Sequence, residues 1–366
     1  MKNNLVKIMF VLPSLKSGGA ERVISFIASN IDKSKFKSIL VVVGFEDDAV
    51  YSTDGIEVHF LNCTRVLKSI NPLFQLIKEV KPNIVLGSIA HVNRVLTMLS
   101  AYFRKTKFIG REASLDRVIT EYTYNKKRIK YWKFYKNYYK HLDMIICQSK
   151  EMAQNLHDRY FIPDDKLAII NNPISGNLPA RKTPINSDKT RQLITIGRMS
   201  EEKGHKRILE ALSKLKTPFH YTIVGKGHLE TQVMEKASEL DLLKHITHIP
   251  YTNDVAKYLA ESDLFLQGSF VEGFPNALLE SCAVGTPVLA FRAPGGTQEI
   301  VEDDINGYLA EDIDDYFNKI NHALYDKEWD SETIRHSVYS KFNQELILSK
   351  YEAMFERLHH SNKMYS

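Results

Sequence analysis

Short runs of apolar and β-branched residues recur along this chain with helical patterns between them, and this alternation constrains the fold more than any other feature. In the first half the runs occupy residues 7–13, 38–44, 58–61, 83–87, 108–110, 144–147 and 168–170, with helical patterns at 20–30, 73–80 and 150–160. Strand, helix and strand in that order read as parallel βαβ units, hence as a doubly wound sheet. The pattern stops near Asn171-Asn172-Pro173, and residues 173–190 are rich in Pro, Asn, Ser and Lys, as a linker is. A second series starts at 192–197 and continues at 221–225, 245–249, 264–267 and 287–290. The expected fold class is therefore α/β: one doubly wound domain over residues 1–172 and a second, similar one over 191–336. A length of 366 residues fits two domains better than one core. The last helical pattern, clearest at 337–359 and taken to run to about 366, has no strand after it, so it is expected to pack back against the first domain.

Composition excludes several classes. With 43% hydrophobic and 25% charged residues the chain is that of a soluble globular protein, and no apolar run reaches the length of a membrane span. The start is expected to be a first buried strand rather than a signal peptide, because Lys7 splits its apolar run and Pro13 ends it. Cys63, Cys147 and Cys282 are widely separated, which fits a reducing cytosol with buried thiols and argues against a cysteine metal site. A net charge of +5 suggests acidic partners such as phosphates, nucleic acid or anionic lipid.

Open doubly wound sheets bind ligands at the carboxyl ends of their strands, and two such domains facing each other would bring their loops into one cleft. The motif-bearing stretches fall in such loops. Gly18-Gly19, after the first strand and just before a helix, permits close approach of backbone amides to a diphosphate, with Arg22 one turn on. It is neither a Gly-x-Gly-x-x-Gly fingerprint nor a P-loop, and a Gly-Gly turn by itself is as often structural. Arg198 and Lys203 place two cations in the loop after the first strand of the second domain, where a departing diphosphate needs its charge neutralised; taken singly they read as solvated surface charges. Gly225 follows a later strand.

Glu272-Gly273-Phe274-Pro275-Asn276-Ala277-Leu278-Leu279-Glu280 sets two carboxylates eight positions apart across a Gly-Phe-Pro turn. Pro275 suits the first turn of a helix, whose free amides and positive dipole end suit a phosphate or a sugar oxygen. Eight helical steps separate the carboxylates by roughly 12 Å, beyond the roughly 5 to 9.5 Å of a glycosidase acid and base. They fit two ends of one long ligand, or an ordinary loop-to-helix transition with a Glu at each end.

Three further features carry competing readings. Asp312-Ile313-Asp314 matches a metal-binding Asp-x-Asp, but its acidic neighbours fit a helix start, which is the preferred reading. His91, after a strand end of the first domain, reads as an acceptor-side base or donor, or as a satisfied structural histidine. The stretch 121–140 interleaves Lys126, Lys127, Arg128, Lys130, Lys133, Lys136 and Lys140 with Tyr131, Trp132 and other aromatics. A basic amphipathic helix of this kind is expected to lie on an anionic membrane surface. A core helix with a solvated lysine face is the competing reading, and nucleic-acid binding is the least favoured.

Taken together, the Gly18-Gly19-Ala20-Glu21-Arg22 loop, Gly197-Arg198 with Lys203-Gly204, the Glu272-to-Glu280 block and Ala293-Pro294-Gly295-Gly296-Thr297 resemble the retaining GT-B glycosyltransferases of family 4, over nearly the whole chain. Within that family the chain looks most similar to bacterial transferases that extend lipid-linked oligosaccharides. The resemblance implies two Rossmann-like domains facing a central cleft, and transfer of a hexose or N-acetylhexosamine from a nucleotide sugar, UDP-linked, to a polyprenyl-diphosphate glycan. It implies no metal, no cofactor and no nucleic-acid partner, and a place at the inner leaflet of the cytoplasmic membrane. Glu280 would hold the donor ribose; Glu272, with Gly273, Phe274, Pro275 and Asn276 after it, the donor sugar. Arg198 and Lys203 would bind the departing diphosphate, with Gly18-Gly19 closing from the other side and Gly225 lining the donor site. Arg22, His91 and the basic residues Lys126, Lys127, Arg128, Lys130 and Lys133 with Trp132 would face the acceptor and the membrane. Many relatives carry a His near the acceptor where this chain has Ala113, which leaves Arg111 or Glu112 to orient the acceptor.

Overall fold

The computed structural model describes residues 5–115, 138–176, 178–181 and 190–363. Within these, one compact unit comprises residues up to 114, 138–175 and 344 onward, and the other comprises Leu115 and 176–343.

The first unit is built on seven strands: β1 (Val6–Leu12), β2 (Phe36–Val42), β3 (Glu57–Phe60), β4 (Ile84–Ser88), β5 (Lys107–Arg111), β6 (Met144–Cys147) and β7 (Leu167–Ile169). They form one parallel sheet in the order β3-β2-β1-β4-β5-β6-β7. Its helices are α1 (Gly19–Asn30), α2 (Ile70–Val80), α3 (Ala90–Ser100) and α4 (Lys150–Tyr160). Central strands are apolar throughout because both faces are covered: every residue of β4 is buried, as are Ile8 to Leu12 of β1, whereas the edge strand β3 is half-exposed. The order reverses between β1 and β4, so the chain leaves these neighbouring strands to opposite sides and opens a crevice at their carboxyl ends. Gly18-Gly19 follows β1, and His91 follows β4.

The second unit repeats the plan with β8 (Arg191–Ile196), β9 (Phe219–Val224), β10 (Ile246–Ile249), β11 (Leu264–Gln267), β12 (Val288–Phe291) and β13 (Gly307–Ala310), all parallel, in the order β10-β9-β8-β11-β12-β13. The intervening helices are α5 (His205–Leu212), α6 (Glu230–Glu239), α7 (Val255–Glu261), α8 (Asn276–Val284), α9 (Thr297–Ile300), α10 (Ile313–Asn321) and α11 (Ser331–Phe342). Here the reversal lies between β8 and β11. The loop after β8 carries Arg198 and Lys203, and the loop after β11 carries Glu272.

Three elements differ from the sequence expectation. The terminal helical pattern is two helices, not one, broken at the extended Asn343: α11 belongs to the second unit, and α12 (Gln344–Lys363) to the first. Phe342 packs edge-on against Phe274 in the second unit at 5.3 Å. In the first, Ile347, Tyr351, Phe355 and Leu358 of α12 enter the sheet's core, Phe355 edge-on to Phe10 and Phe36 at 6.1 and 6.0 Å. Burying each such side chain contributes about 1.5 to 3 kcal/mol, which holds α12 in the first unit. Helix α3 and strand β13 were not expected. In α3, Val92, Val95, Leu96 and Leu99 are buried at helical spacing, and β13 is four residues opened by a glycine.

Of the basic aromatic stretch, only the turn Tyr138–His141 is described. Lys126, Lys127, Arg128, Lys130, Trp132 and Lys133 lie outside the described residues. Among the described residues no helix is long and apolar enough to cross a membrane.

Candidate active site

In the second unit the two loops at the reversal are joined backbone to backbone. After β8 a short turn, Glu201–Lys203, ends at Gly204 with φ +59, where an added Cβ would lie 2.0 Å from the carbonyl oxygen of Gly268, just beyond β11. Gly268 is as tight in return, 2.5 Å from the Gly204 carbonyl. Only glycine at both positions permits this approach, and it sets Lys203 beside the loop that carries Glu272.

The result is a focused charge arrangement. Lys203 Nζ donates to Glu272 Oε1 at 2.7 Å, and Ser269 Oγ donates to the same oxygen at 2.5 Å. Among the described residues no donor takes Glu272 Oε2. Glu272 and Ser269 are buried, while Lys203 is partly open to solvent. The carboxylate is thus fixed through one oxygen and keeps the other for a ligand hydroxyl, and a charge-assisted bond of this kind is stronger than a neutral one.

Surrounding groups hold this arrangement in place. Arg207, on α5, donates through Nε to the Gly268 carbonyl at 2.5 Å and through Nη2 to the Ser269 carbonyl. Its guanidinium lies 3.6 Å from the ring centre of Phe291 and 4.0 Å from that of Phe270. The loop after β12 covers the far side: the Glu272 amide donates to Pro294 and the Gly296 amide to Gly273. Gly295, at φ +115, would place a Cβ 1.7 Å from the Glu272 carbonyl. His205 is buried and its Nε2 bonds the Arg198 carbonyl at 3.1 Å. Desolvation lowers its pKa to about 4, only partly offset by that bond, so it is a neutral donor. Arg198 itself is exposed to solvent.

The expected donor residues Gly273, Phe274, Pro275, Asn276 and Glu280 form one continuous loop-to-helix segment. Pro275 is extended and caps α8, one position earlier than the sequence suggested, so the helix begins at Asn276 and Glu280 lies buried in its second turn. Gly225 directly follows β9, its carbonyl bonded by His248 Nε2 at 2.7 Å. A cavity of about 820 Å³ opens nearby against Gly204, His205, Arg207, Phe270 and Phe291, but none of Arg198, Lys203, Glu272 or Glu280 lines it. Asp312 accepts from the Asp315 amide at 2.9 Å as the cap of α10, and Asp314 pairs with Lys214. Among the described residues no group of three His, Cys, Asp or Glu could hold a metal ion.

The strand ends of the first unit are organised by side chains instead. Gly18 caps α1, and the Tyr51 hydroxyl both accepts from its amide and donates to its carbonyl, each at 2.9 Å. The Glu21 carboxylate lies where a Gly18 Cβ would be, so an incoming phosphate would have to displace it. Arg22 sits in the same turn, its amide bonded to the Gly18 carbonyl. Arg111 is fully buried and donates to Ser88 Oγ at 3.2 Å and Asn172 Oδ1 at 2.6 Å. Its charge is held inside the strand ends by these two partners. Glu112 is also buried, accepting from Asn93 Nδ2 at 2.9 Å and, more weakly, from the Tyr138 hydroxyl. Gln148 Nε2 donates to the Glu112 carbonyl at 2.6 Å.

His91, by contrast, is exposed at the start of α3, and lines a cavity of about 410 Å³ with Pro13, Cys63, Arg65 and Leu67. Partial desolvation, then the charge of Arg94, lower its pKa. The preceding Ile89 has φ +77, a strained backbone for a β-branched residue, at the strand end that aims His91.

Ser269, Arg207, Asn93, Gln148 and Tyr51 were not singled out from sequence. Ser269 alone had a signal, three residues before Glu272 in the same motif.

The model for the family described as Glycosyltransferase Family 4 matches residues 17–176, and that described as Glycosyl transferases group 1 matches residues 179–337. A curated relative, the N-acetylgalactosamine-N,N'-diacetylbacillosaminyl-diphospho-undecaprenol 4-alpha-N-acetylgalactosaminyltransferase of Campylobacter jejuni, is 28% identical over 318 residues, 83% of this chain and 86% of its own. Among solved structures, the lipopolysaccharide outer core galactosyltransferase WaaB superposes with a TM-score of 0.77 at 19% identity, covering 96% of this chain and 99% of its own. Anabaena Alr3699/HepE, in complex with UDP-glucose, gives 0.80 at 17% identity over 96% and 99%. With the two models together matching most of both units, residues 17–176 and 179–337, the chain belongs to the group 1, family 4 glycosyltransferases of GT-B fold.

Proposed function

We propose that this glycosyltransferase moves a hexose or N-acetylhexosamine from a UDP-sugar to a polyprenyl-diphosphate-linked glycan at the cytoplasmic face of the membrane, with retention of configuration and without a metal. The arrangement of Lys203 and Ser269 on one oxygen of Glu272 carries the reading. Glu272 Oε2 and the amides that open α8 would bind hydroxyls of the donor sugar, while Glu280 would bind the ribose. Lys203 and the solvent-facing Arg198 would neutralise the diphosphate as the sugar–oxygen bond breaks and its electron pair moves to the phosphate oxygen. The acceptor hydroxyl then bonds to the sugar carbon from the same face, and its proton passes to that phosphate oxygen. Two cations placed at the leaving group supply what a divalent ion supplies elsewhere. The UDP-glucose named with HepE and the undecaprenol-linked acceptor named for the Campylobacter relative support the choice of donor and acceptor classes.

The test is a panel of nucleotide sugars, with a polyprenyl-diphosphate glycan as acceptor, run with and without a chelator. Transfer from one UDP-sugar, chelator-insensitive and with a retained anomeric configuration by NMR, is the expected result. Lys203→Ala should lower kcat by about 10²- to 10³-fold, as removal of a transition-state cation does. Transfer only to a free sugar, or inversion of configuration, would contradict the proposal.

A further inference from the structure

We infer that α11 is a brace for the donor-sugar loop, with Phe342 the positioning residue that fixes Phe274 and, through it, the peptides just after Glu272; the inference rests on the donor site proposed above. One side of α11 meets both ends of α8. At the carboxyl end of α8, Gly285 has φ +91 and would place a Cβ 1.9 Å from Ser331 Oγ, at the first residue of α11. Arg335, one turn on, donates through Nη1 to the Ala283 carbonyl in the last turn of α8. At the amino end, Phe342 closes α11 and meets the ring of Phe274, just before α8 begins, edge-on at 5.3 Å. Ser331, Arg335 and Phe342 follow at helical spacing, so they share one side of the helix.

The neighbouring strip of α11 holds the loop after β12. Ser337 Oγ accepts from Asn306 Nδ2 at 2.8 Å, and the same nitrogen donates to the Ile300 carbonyl at the end of α9, also at 2.8 Å. Asn306 is fully buried. Lys341, one turn beyond Ser337, pairs with Glu302 shortly after α9. The stretch that leads into α9 carries Gly296, where an added Cβ would lie 2.3 Å from Phe274 Cδ2. The buried ring of Phe274 is thus closed in by Phe342 and by Gly296, the second belonging to a loop that α11 also holds.

A ring pair in a core needs only to exclude water, but Phe274 sits where the backbone must present amides to a ligand. Gly273 before it has no side chain to hold the turn, and Pro275 after it fixes only its own φ. The Phe274 ring is the aromatic anchor of this turn, and α11 sets where that ring lies. Misplacing a binding group by about 1 Å costs on the order of 10²-fold in rate, so loss of the edge-on contact should reach the donor sugar without unfolding the unit.

Calorimetric titration of the full-length chain with UDP, UDP-glucose and UDP-N-acetylglucosamine tests this in Phe342→Leu. Val338→Ala, buried elsewhere on α11, controls for lost packing, and Glu272→Gln for the donor site. Phe342→Leu should weaken the better-bound UDP-sugar by about tenfold and leave UDP itself unchanged. Val338→Ala should lower the melting temperature comparably and keep both affinities. The double variant with Phe274→Leu should bind the UDP-sugar no worse than Phe274→Leu alone, because Phe342 acts through Phe274. Unchanged UDP-sugar affinity in Phe342→Leu, or equal weakening in Val338→Ala, would overturn the role of Phe342; if Glu272→Gln still weakens the UDP-sugar, the donor site stands. A parent chain that binds neither UDP-sugar, or a Glu272→Gln variant that binds as the parent does, would remove the donor site and this role with it.

Discussion

The two units share a strand plan and differ in how their loops are held at the point where strand order reverses. In the second unit the loops are fixed by backbone contacts that only glycine allows: Gly204 against Gly268, and Gly295 against Glu272. In the first they are fixed by a buried side-chain network around Arg111, Asn93 and Glu112, with a strained Ile89 and an exposed His91 at its edge. Backbone contacts leave little room to move, which on the proposed reading suits a site that places a charged diphosphate precisely. A side-chain network can be altered residue by residue, which on the proposed reading suits the unit that would recognise the acceptor.

The comparison can be broken most sharply at Gly295. Gly295→Ala adds a Cβ 1.7 Å from the Glu272 carbonyl at φ +115, and is expected to abolish transfer and lower the melting temperature. Gly176→Ala, also at positive φ but with nothing within 4 Å, should cost only the backbone term, about 1 kcal/mol. Equal effects of the two would show that crowding at Glu272 is not what matters.

The pH dependence of stability comes next in size. His205 is buried and neutral, with its pKa lowered from 6.5 to about 4. The unfolded chain therefore takes up a proton that the folded unit refuses. Stability should be full above pH 6.5 and fall as pH drops towards 4, by roughly 3 kcal/mol for this group. Denaturant melts between those limits should have a shallower slope in His205→Gln; an unchanged slope would assign the acid sensitivity to other groups.

Arg207 should matter through Glu272 rather than through the fold. Arg207→Met is expected to lower kcat/KM by about 10- to 100-fold and raise the donor KM, with the acceptor KM unchanged, since two carbonyl bonds that fix the Ser269 loop are lost. Arg207→Lys should restore little, because an ammonium cannot reach both carbonyls in one plane. The smallest expected effect lies in the first unit. Asn93→Leu frees Glu112 from one donor and should raise the acceptor KM several-fold at a cost of about 1 to 3 kcal/mol in stability, with donor affinity unchanged.

What could be read from the sequence follows the same division. Glycine, proline and charge at fixed offsets mark the loops of the second unit, so Lys203, Glu272 and the start of α8 were legible, and so were the buried strands, because parallel sheets demand continuous apolar runs. The pairing of Lys203 with Glu272 was not, since 69 residues separate them. Arg207 was hidden for a different reason: on α5 it reads as an ordinary surface cation until the Gly268 and Ser269 carbonyls are seen beneath it. The burial of Arg111 was not legible, because a charged residue at a strand end reads as exposed, whereas Ser88 and Asn172 make its burial possible. Strand β13 is too short for periodicity to distinguish from a loop, and the break at Asn343 depends on which core each helix enters.

Amide hydrogen exchange with and without UDP tests the central claim, that the second unit holds the nucleotide through its backbone-locked loops. Slowed exchange at residues 197–204 and 269–280, with 88–93 and 111–112 unaffected, is the predicted result. Protection centred on 88–93 with the 197–204 and 269–280 loops unchanged would contradict it.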